Sequence, residues 1–536
     1  MSQLQFSTVD LTIVIVYLVF VIALGLRFAK KTASAEDYFL GGRSFTWPLV
    51  GLSLYASNMS SASLIGMAGS AYATGISVFN YEWMAAVILV FFAIFFLPQY
   101  LRSQVYTMPE FLERRFDSRS RYIFSGISVL SMIVIDTAGS LYAGGLVIHL
   151  IFPQIPIWQS IMAIAIISGL YTIAGGLKAV VMTDAIQAVV LTIGATMIAV
   201  IAYVKIGTWE AVTAVTPPEM LSIIQPLDDS FLPWPGLLTG VPLLGFYFWC
   251  NNQFMVQRVL GAKDISHGRR GLLFAGLLKL PVILIMVLPG TMARVLYPAA
   301  ENPALQNNPD LVFPTLMFDL LPVGVLGFVA AGLIAALMSS IDSTLNSAST
   351  LVTMDFFKKF RPKTTGTQLA WAGRIFTGIF MILASIWAPN IEKFPSLWQY
   401  LQTVLGYIAP PIVACFLMGL FWKRANAHGA FAALIVGFGA GLLDIILRVA
   451  GISVWFTEYH FLYLTTLRFV LSLATLVIVS LLTAPPSTEK TAAYIWTKQA
   501  YDDETIELRA VPWYLNFRVQ SMALLALTAV VVIAFW

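Results

Sequence analysis

Charge is scarce in this chain. Asp, Glu, Lys and Arg together make up 11% of its 536 residues, while 59% of the residues are hydrophobic. An average soluble domain carries about 25% charged residues. The mean hydropathy is +0.82, which is correspondingly high. Too few charges are present to solvate a soluble domain, and a formal net charge of +4 gives no reason to expect a nucleic-acid partner.

The side chains that build metal and redox sites are also rare. The two cysteines, Cys250 and Cys415, lie in apolar runs, which excludes a disulfide framework and a four-cysteine zinc site. None of the four histidines falls in an HExxH pattern, and no GxxxxGK[ST] loop is present to cradle ATP phosphates. An ATP-driven pump is therefore not expected. No basic residue precedes the first apolar run, so that run is predicted to be a retained helix and not a cleaved signal peptide.

Long apolar runs are abundant. About 20 residues of α-helix cross the hydrocarbon core of a bilayer, which is about 30 Å thick. We predict about fourteen such spans, numbered here in chain order: 8–27, 46–71, 78–101, 122–150, 157–173, 183–206, 236–256, 271–297, 322–353, 368–388, 400–422, 428–449, 461–482 and 518–536. The chain is therefore predicted to be an all-α polytopic protein of the lipid bilayer, with one transmembrane domain over residues 1–536.

Basic residues are distributed unevenly between the connections that join these spans. About 25 Lys and Arg residues lie in alternate connections, and about 4 lie in the intervening ones. The rich connections include Arg27, Lys30, Lys31, Arg258, Lys263, Arg269 and Arg270, and the poor ones hold Lys205, Arg294, Lys393 and Arg448. Because Lys and Arg favour cytoplasmic loops, the rich side is predicted to be cytoplasmic. Both termini then lie outside the cytoplasm, on one side of the membrane, as an even number of spans requires. The membrane is predicted to be a plasma or inner membrane.

Two spans contain residues that interrupt a helix. The second span has the polar run Ser57-Asn58-Met59-Ser60-Ser61-Ala62-Ser63. The seventh opens with Gly236 and Pro242 and carries Cys250-Asn251-Asn252-Gln253. These spans are five apart, and broken helices at matching positions of two repeats are typical of the midplane site of a secondary transporter.

The ninth span carries the densest cluster of hydroxyl groups, with Ser339, Ser340, Ser343 and Thr344 around Asp342. Polar side chains in hydrocarbon are costly and often mark function, although single Ser and Thr residues also join helices. Sodium is a hard cation, for which hydroxyl, carbonyl and carboxylate oxygens are suitable ligands. An unwound stretch near Asn58 would add free backbone carbonyls. The sequence therefore indicates a sodium ion as the coupling partner.

Three ionisable residues of the apolar spans need an explanation. Asp184 opens the sixth span, where it is either a solvated helix-start carboxylate or part of a site. Asp342 lies deep in the ninth span, where an unpaired carboxylate would be protonated or would need a cation. Arg468, inside the thirteenth span, needs a partner or a route to the interface.

Glu82, Lys279 and Gln402 also lie within or at the ends of spans. A carboxylate, an ammonium and an amide can together donate to and accept from several hydroxyl groups, as the binding of a sugar or polyol requires. Lys279 has an alternative role in a salt bridge with Asp136 or another intramembrane acid. Three consecutive aromatic residues form either an apolar platform, a gate or ordinary core packing. They are Tyr247, Phe248 and Trp249.

Several longer stretches carry a family resemblance. The strongest are residues 169–179, Gly-Leu-Tyr-Thr-Ile-Ala-Gly-Gly-Leu-Lys-Ala, and the run from Gly419-Leu-Phe-Trp-Lys-Arg to His428-Gly-Ala-Phe. The others are residues 56–69, 81–83, 249–258, 278–280 and 347–355. Together they resemble the sodium:solute symporter family, and particularly its sodium/glucose cotransporter branch, over nearly the whole chain.

The resemblance implies a LeuT-type core of two inverted five-helix repeats that works by alternating access. The repeats would be residues 46–206 and 236–422, with peripheral helices at 8–27 and 428–536. A co-transported sodium ion would bind backbone oxygens of Ala56, Met59 and Ala336 and hydroxyls of Ser339 and Ser340. A possible second sodium position involves Asp184, Asp342 and Ser343. Asp342 replaces a smaller polar residue of the relatives, which leaves sodium and a proton as alternatives there.

For the sugar-transporting branch, the resemblance assigns hydroxyl-binding groups to Asn58, Glu82, Lys279 and Gln402. Ser63, Tyr247 and Trp249 complete the predicted solute site, and the predicted gates are Met67, Tyr81, Phe248 and Trp398. Ser63 stands where relatives have Gln or His, Gly245 where a polar side chain is common, and Phe248 where Tyr is usual. A larger or differently substituted solute would fit the space left by Ser63 and Gly245.

We therefore expect a secondary active transporter that couples inward sodium movement to uptake of a sugar such as glucose or galactose. The alternatives within symport are myo-inositol, sialic acid, or an amino acid or carboxylate as solute. A different class is a sensor that binds solute without transporting it. An enzyme is not expected, because no nucleophile is paired with a base. The sequence does not predict an oligomeric state.

Overall fold

The computed structural model describes residues 6–29, 35–151, 154–394 and 396–536. Regular structure in these ranges is helical apart from two isolated bridges, Phe45 with Ala262 and Gln225 with Pro233. Lys30 and Lys31 of the first basic cluster lie outside the described residues. The side chains of residues 169–176, in one of the family-like stretches, also lie outside what the structure describes.

Nine helices of the described chain are long and apolar enough to cross a membrane alone, and one bent pair makes a tenth. The bent pair, Ile265–Lys279 with Ile283–Leu296, turns by 41° and forms the eighth span. The nine are Ile76–Ser103, Ser118–His149, Leu177–Ile206, Val325–Phe360, Gly366–Lys393, Leu397–Phe421, Ala427–Val449, Phe461–Leu482 and Phe517–Ala534. These ten correspond to the third, fourth, sixth and eighth to fourteenth predicted spans.

The other predicted spans are helical but shorter or interrupted. The first is Thr8–Ala29. The second is divided into Trp47–Asn58 and Ser61–Thr74. The seventh consists of Trp234–Phe246, a π-helical stretch Tyr247–Asn251, and Gln253–Leu260. Further π-helical stretches lie in four other spans, at Phe92–Phe96, Met132–Thr137, Ile283–Val287 and Val352–Phe357.

The fifth and sixth spans are not separated by a loop, contrary to the prediction, because helix Ile157–Ile206 is continuous. Residues 174–182 contain one charge and no proline, so no residue there obliges the helix to end. A straight helix of its 50 residues would be about 75 Å long. That length is more than twice the thickness of a hydrocarbon core of about 30 Å.

Contacts with the ninth span show that this helix is not straight. A Cβ atom placed on Gly144 would overlap both Ile164 and Leu337. Twenty residues further along the helix, Asp184 accepts a hydrogen bond from Ser339. Both halves therefore lie beside the same level of the ninth span, so residues 157–206 do not form one straight rod. Two consecutive membrane passes require this arrangement.

The remaining helices are short and lie in the connections between spans. They are Ala35–Leu40, Gly41–Arg43, Met108–Arg115, Trp209–Val215, Pro218–Leu221, Pro303–Asn307, Pro309–Leu311, Val312–Leu320, Thr488–Ala492, Lys498–Leu508 and Trp513–Leu515.

The first and last spans are anchored beside connections that are poor in basic residues. Asp10, in the first span, accepts hydrogen bonds of 2.7 Å from the backbone N–H groups of Gly324 and Gly327, where the ninth span begins. At the end of the last span, the Phe535 carbonyl accepts a hydrogen bond of 3.0 Å from the Ile223 N–H. The beginning of the first span and the end of the last span therefore both contact connections that are poor in Lys and Arg.

Arg468 has the partner that its position in an apolar span demands. Its Nη2 atom lies 2.5 Å from Asp444 Oδ2 of the twelfth span, and its guanidinium lies 4.4 Å from the ring centroid of Tyr407 in the eleventh. The pair links the eleventh, twelfth and thirteenth spans. It satisfies the charge inside the protein, so the snorkelling alternative is not needed.

Buried apolar residues form two large clusters. The first draws mainly on the second, fourth, sixth, eighth and ninth spans, and the second on the third, seventh, eleventh and twelfth. Tyr81 and Leu401 pack against both clusters. The polar cavity described below is lined by both residues and lies where the two clusters meet.

Candidate solute and ion sites

The second span is interrupted where the sequence predicts. Its first helix ends at Asn58, because Met59 has a ψ of 58° and Ser60 is extended, with φ −74° and ψ 164°. The Ser60 hydroxyl accepts a hydrogen bond of 3.1 Å from the Ser63 N–H and caps the next helix. The Ser63 hydroxyl donates to the Asn58 carbonyl at 2.8 Å. Serine side chains therefore replace part of the helical hydrogen-bond ladder at this break.

The seventh span is also broken, at Asn252. This residue is extended, with φ −67° and ψ 125°, and its side chain accepts a hydrogen bond of 3.3 Å from the Phe254 N–H. The hydroxyl of Tyr100, in the third span, donates to the Cys250 carbonyl at 3.1 Å. Both predicted breaks are confirmed, each with a polar side chain as the cap of the helix that follows.

A cavity adjoins both breaks. Its walls come from the second, third, fourth, seventh, ninth and eleventh spans. The polar side chains on these walls belong to Ser57, Asn58, Ser60, Ser63, Tyr81, Glu82, Asp136, Ser140, Trp249, Ser340, Thr344, Trp398 and Gln402.

Five of the seven predicted solute-binding residues line this cavity. They are Asn58, Ser63, Glu82, Trp249 and Gln402. Tyr247 is 1% exposed and is not among the lining residues. Lys279 is fully buried behind the wall, with Nζ 2.5 Å from Glu82 Oε2 and a hydrogen bond to the Asn58 amide oxygen. The intramembrane salt bridge considered for Lys279 is therefore formed, with Glu82 as the acid and not Asp136.

An aromatic pair closes one side of the cavity. The rings of Tyr81 and Trp398 meet edge to face, with 5.5 Å between centroids. Both, together with Gln402, also line a second, smaller cleft bordered by Phe231 and His460, which lie in connections poor in basic residues. These three side chains therefore lie between the cavity and this cleft.

The two other predicted gate residues differ in position. Phe248 lines the cavity and packs edge to face on Trp249, with centroids 5.3 Å apart. Met67 is fully buried and lines neither the cavity nor the smaller cleft.

The hydroxyls predicted to bind sodium donate their protons to fixed acceptors. Ser340 Oγ donates to the Ala336 carbonyl at 3.0 Å, and Ser339 Oγ donates to Asp184 Oδ1. A hydroxyl has one proton and two lone pairs, so each oxygen keeps a lone pair for a cation. Ser340 also lines the cavity. Ala56 and Met59, which are buried, lie in the last turn before the break and at the break itself.

Asp184 is completely buried, so it is not a solvated helix-start carboxylate. Its Oδ2 atom accepts hydrogen bonds from Ser53 Oγ at 2.6 Å and Ser57 Oγ at 3.4 Å. The same oxygen lies 3.2 Å from Arg258 Nη2. Arg258 also donates to Ser53 at 2.8 Å and to Ser343.

The prediction that Arg258 lies in a cytoplasmic connection is therefore wrong. Its side chain is fully buried in helix Gln253–Leu260 and bridges Asp184 and Ser343, two residues of the predicted second ion position. The third, Asp342, is 1% exposed. The sequence contains a pattern that could have predicted this ion pair. A carboxylate in an apolar span needs a cation, and Arg258 directly follows a broken span.

Two broken helices around a polar cavity, within a bundle of apolar spans, define the class of secondary transporters. The model of the sodium:solute symporter family matches residues 38–437, and the chain belongs to this family. It is a sodium-coupled solute symporter of the membrane and not an enzyme. The predicted family and the predicted coupling ion are thereby confirmed.

Individual relatives carry different names. The chain is 34% identical to sodium/glucose cotransporter 4 of Danio rerio, over 96% of this chain and 84% of that protein. It is 35% identical to sodium/myo-inositol cotransporter 2 of Homo sapiens, over 91% and 78%. A solved structure of a sodium-coupled sialic acid symporter, substrate-bound and outward-open, superposes with a TM-score of 0.78 at 25% identity, covering 90% of this chain and 100% of that chain. This likeness confirms the predicted LeuT-type fold.

Proposed function

We propose that the symporter takes up a neutral sugar such as glucose or galactose. The observation that carries this proposal is the composition of the cavity wall. Asn58, Glu82 and Gln402 offer two amides and a carboxylate, and Trp249 offers a flat apolar face. Donors and acceptors around an apolar platform suit a ring with many hydroxyl groups.

In this proposal the sodium ion and the solute share the break in the second span. Asn58 would contact the solute, while the adjacent Met59 carbonyl would bind sodium with Ala56, Ala336, Ser339 and Ser340. Binding of the ion would hold the second span against the ninth and complete the solute site. Coupling follows only if sodium favours this arrangement by differential affinity. Each charge moved through 100 mV contributes about 2.3 kcal/mol, or roughly a 50-fold solute gradient.

We further propose that residues 46–206 and 236–422 are the inverted repeats, that both termini lie outside the cytoplasm, and that the protein resides in a plasma or inner membrane. The matched breaks of the second and seventh spans support the repeats. The orientation is supported by the bonds of Asp10 and of the Phe535 carbonyl to connections that are poor in Lys and Arg.

The test of the solute is uptake into proteoliposomes with an inward sodium gradient or an equal potassium gradient. We expect accumulation of glucose or galactose with sodium alone. Gln402→Ala should raise the half-saturating sugar concentration roughly fivefold, because one hydrogen bond is worth about 1 kcal/mol. Its sodium affinity without sugar should not change. Sodium-driven uptake of myo-inositol, sialic acid or proline in place of hexoses would reject the sugar assignment, and binding without uptake would indicate a sensor.

Loss of both proposed hydroxyl ligands should weaken the sodium site. In Ser339→Ala with Ser340→Ala, the sodium concentration for half-maximal uptake should rise by at least about tenfold, which corresponds to about 1.4 kcal/mol. Uptake measured across a sodium series gives this value.

Two variants separate ion binding from folding in this test. Ser340→Ala alone should shift the sodium dependence without loss of stability, because within the described part of the chain its hydroxyl donates only to the Ala336 carbonyl of its own helix. Ser349→Ala is the matched control, since this buried hydroxyl of the same span likewise donates to a carbonyl of its own helix, that of Asn346. An unchanged sodium dependence in the double variant would mean that these serines are not ligands.

A further inference from the structure

Asp136 is an acid on the cavity wall to which no role has been assigned. It lies in the π-helical stretch Met132–Thr137 of the fourth span, and Ser140, one turn further on, lines the same cavity. Such stretches are frequent at functional sites. The neighbouring Thr137 hydroxyl is hydrogen-bonded to the Thr344 hydroxyl at 2.8 Å, which holds this turn against the ninth span. The position of Asp136 is thus fixed by the packing of this turn of the fourth span against the ninth.

Among the described residues, the Asp136 carboxylate has no counter-charge of the kind that three buried acids of the spans have. Its Oδ2 atom is buried and makes no hydrogen bond within the described part of the chain. Glu82 has Lys279, Asp184 has Arg258, and Asp444 has Arg468. Buried polar atoms are nearly always satisfied by protein, water or ligand. Because Asp136 lines the cavity, water or solute in the cavity is the remaining partner for its carboxylate.

The charge balance of the cavity depends on this residue. Of the described residues on its walls, Glu82 and Asp136 are the carboxylates, and none is Lys or Arg. Because Lys279 lies 2.5 Å from Glu82 and compensates it, Asp136 contributes the uncompensated acid. An ionised carboxylate only accepts hydrogen bonds, and its bonds to donors are strengthened by its charge.

We propose that Asp136 contacts the solute and determines its charge class. Its carboxylate accepts a hydrogen bond from a solute hydroxyl or ammonium group and repels a solute carboxylate in a cavity with low dielectric constant. This inference rests on the proposed function and narrows it to neutral polyols and amino sugars. Uronic acids and sialic acid, which carry a carboxylate, are excluded.

The experiment compares three hexoses that differ in charge: glucosamine, glucose and glucuronate. Each competes with labelled glucose for sodium-driven uptake into proteoliposomes, in the wild type, Asp136→Asn and Asp136→Glu. We expect glucuronate to be the weakest competitor of the wild type and glucosamine at least as strong as glucose. In Asp136→Asn, the affinity of glucuronate relative to glucosamine should rise by at least about tenfold, because a charge-assisted contact is lost and a repulsion removed. Asp136→Glu keeps the charge and should still reject glucuronate.

The outcomes distinguish this inference from the function on which it rests. If the wild type accumulates glucose but Asp136→Asn has the same charge preference, the role of Asp136 is wrong and the proposed function stands. If the wild type accumulates no hexose under a sodium gradient, both fail. Should Asp136→Asn bind without transporting, thermal stabilisation of the purified protein by the same three hexoses gives the preference directly. Asp228→Asn, at an exposed acid between the sixth and seventh spans, must leave the preference unchanged.

Discussion

Lys279→Met should abolish transport and destabilise the protein by about 3–5 kcal/mol, because it leaves the carboxylate of a buried ion pair without its cation. The side chains of Lys279 and Glu82 are 0% and 4% exposed, and Nζ lies 2.5 Å from Oε2. Met has a similar length and fills the space of the Lys side chain. The expected effect is therefore electrostatic. It is measured by thermal unfolding of the purified protein, together with sodium-driven uptake.

A double variant separates stability from solute binding. Lys279→Met combined with Glu82→Gln removes both charges, so most of the lost stability should return, since a buried pair can often be replaced by neutral groups at little cost. Uptake should stay low, because the wall has lost its carboxylate and Asn58 has lost the ammonium that binds its amide oxygen. Lys205→Met, at an exposed lysine, is the control for loss of a positive charge. Normal uptake by the double variant would show that the pair is only structural.

Most of the bundle is predictable from hydrophobic length, because a helix satisfies its own backbone groups in lipid. The breaks at Asn58 and Asn252 are predictable for a local reason as well. The side chains of Ser60 and Asn252 cap the helices that follow, and these caps involve residues close in sequence. The join between the fifth and sixth spans is different. Helical backbone runs through its Gly-Gly pair, although the contacts of Ile164 and Asp184 with the ninth span require a change of direction between these two residues.

Which buried acid pairs with which buried base could not be predicted, because the partners are distant in sequence. Lys279 lies 197 positions from Glu82, and Asp136 is an equally plausible partner from the sequence alone. Asp184 and Arg258 come from different spans, and the position of Arg258 in the sequence, just after an apolar run, predicts a cytoplasmic connection for it. Only the packing of the helices decides between these possibilities.

The sequence also does not predict which side chains of the broken helices face the cavity. In the seventh span, Phe248 and Trp249 line the cavity while Tyr247 does not. These residues belong to a π-helical stretch, whose i→i+5 hydrogen bonds change the rotation of the side chains from that of an α-helix. A period of 3.6 residues therefore does not give the inward face there.

Arg258→Met should make the stability of the protein depend on sodium. Removal of the guanidinium leaves the buried Asp184 carboxylate with its serine donors and no cation, at an expected cost of about 3–5 kcal/mol. A sodium ion can then take the place of the guanidinium if residues 184, 342 and 343 form the proposed second ion position. At a sodium concentration 100 times the dissociation constant, binding to the folded state would return about 2.7 kcal/mol. Thermal unfolding across a sodium series, with potassium at equal ionic strength, measures this.

A second substitution decides whether Asp184 is responsible for the effect. In Arg258→Met with Asp184→Asn, the carboxylate left without its guanidinium is also removed, so the sodium dependence should disappear and the baseline stability should rise. If Arg258→Met responds equally to sodium and potassium, or no more than the wild type does, the second sodium position is wrong. The result bears on coupling, because each further charge moved through 100 mV adds about 2.3 kcal/mol to the driving force. If sodium stabilises Arg258→Met but not the wild type, the Arg258 guanidinium occupies the second cation position in the wild type. In that case a single sodium ion per cycle sets the accumulation limit.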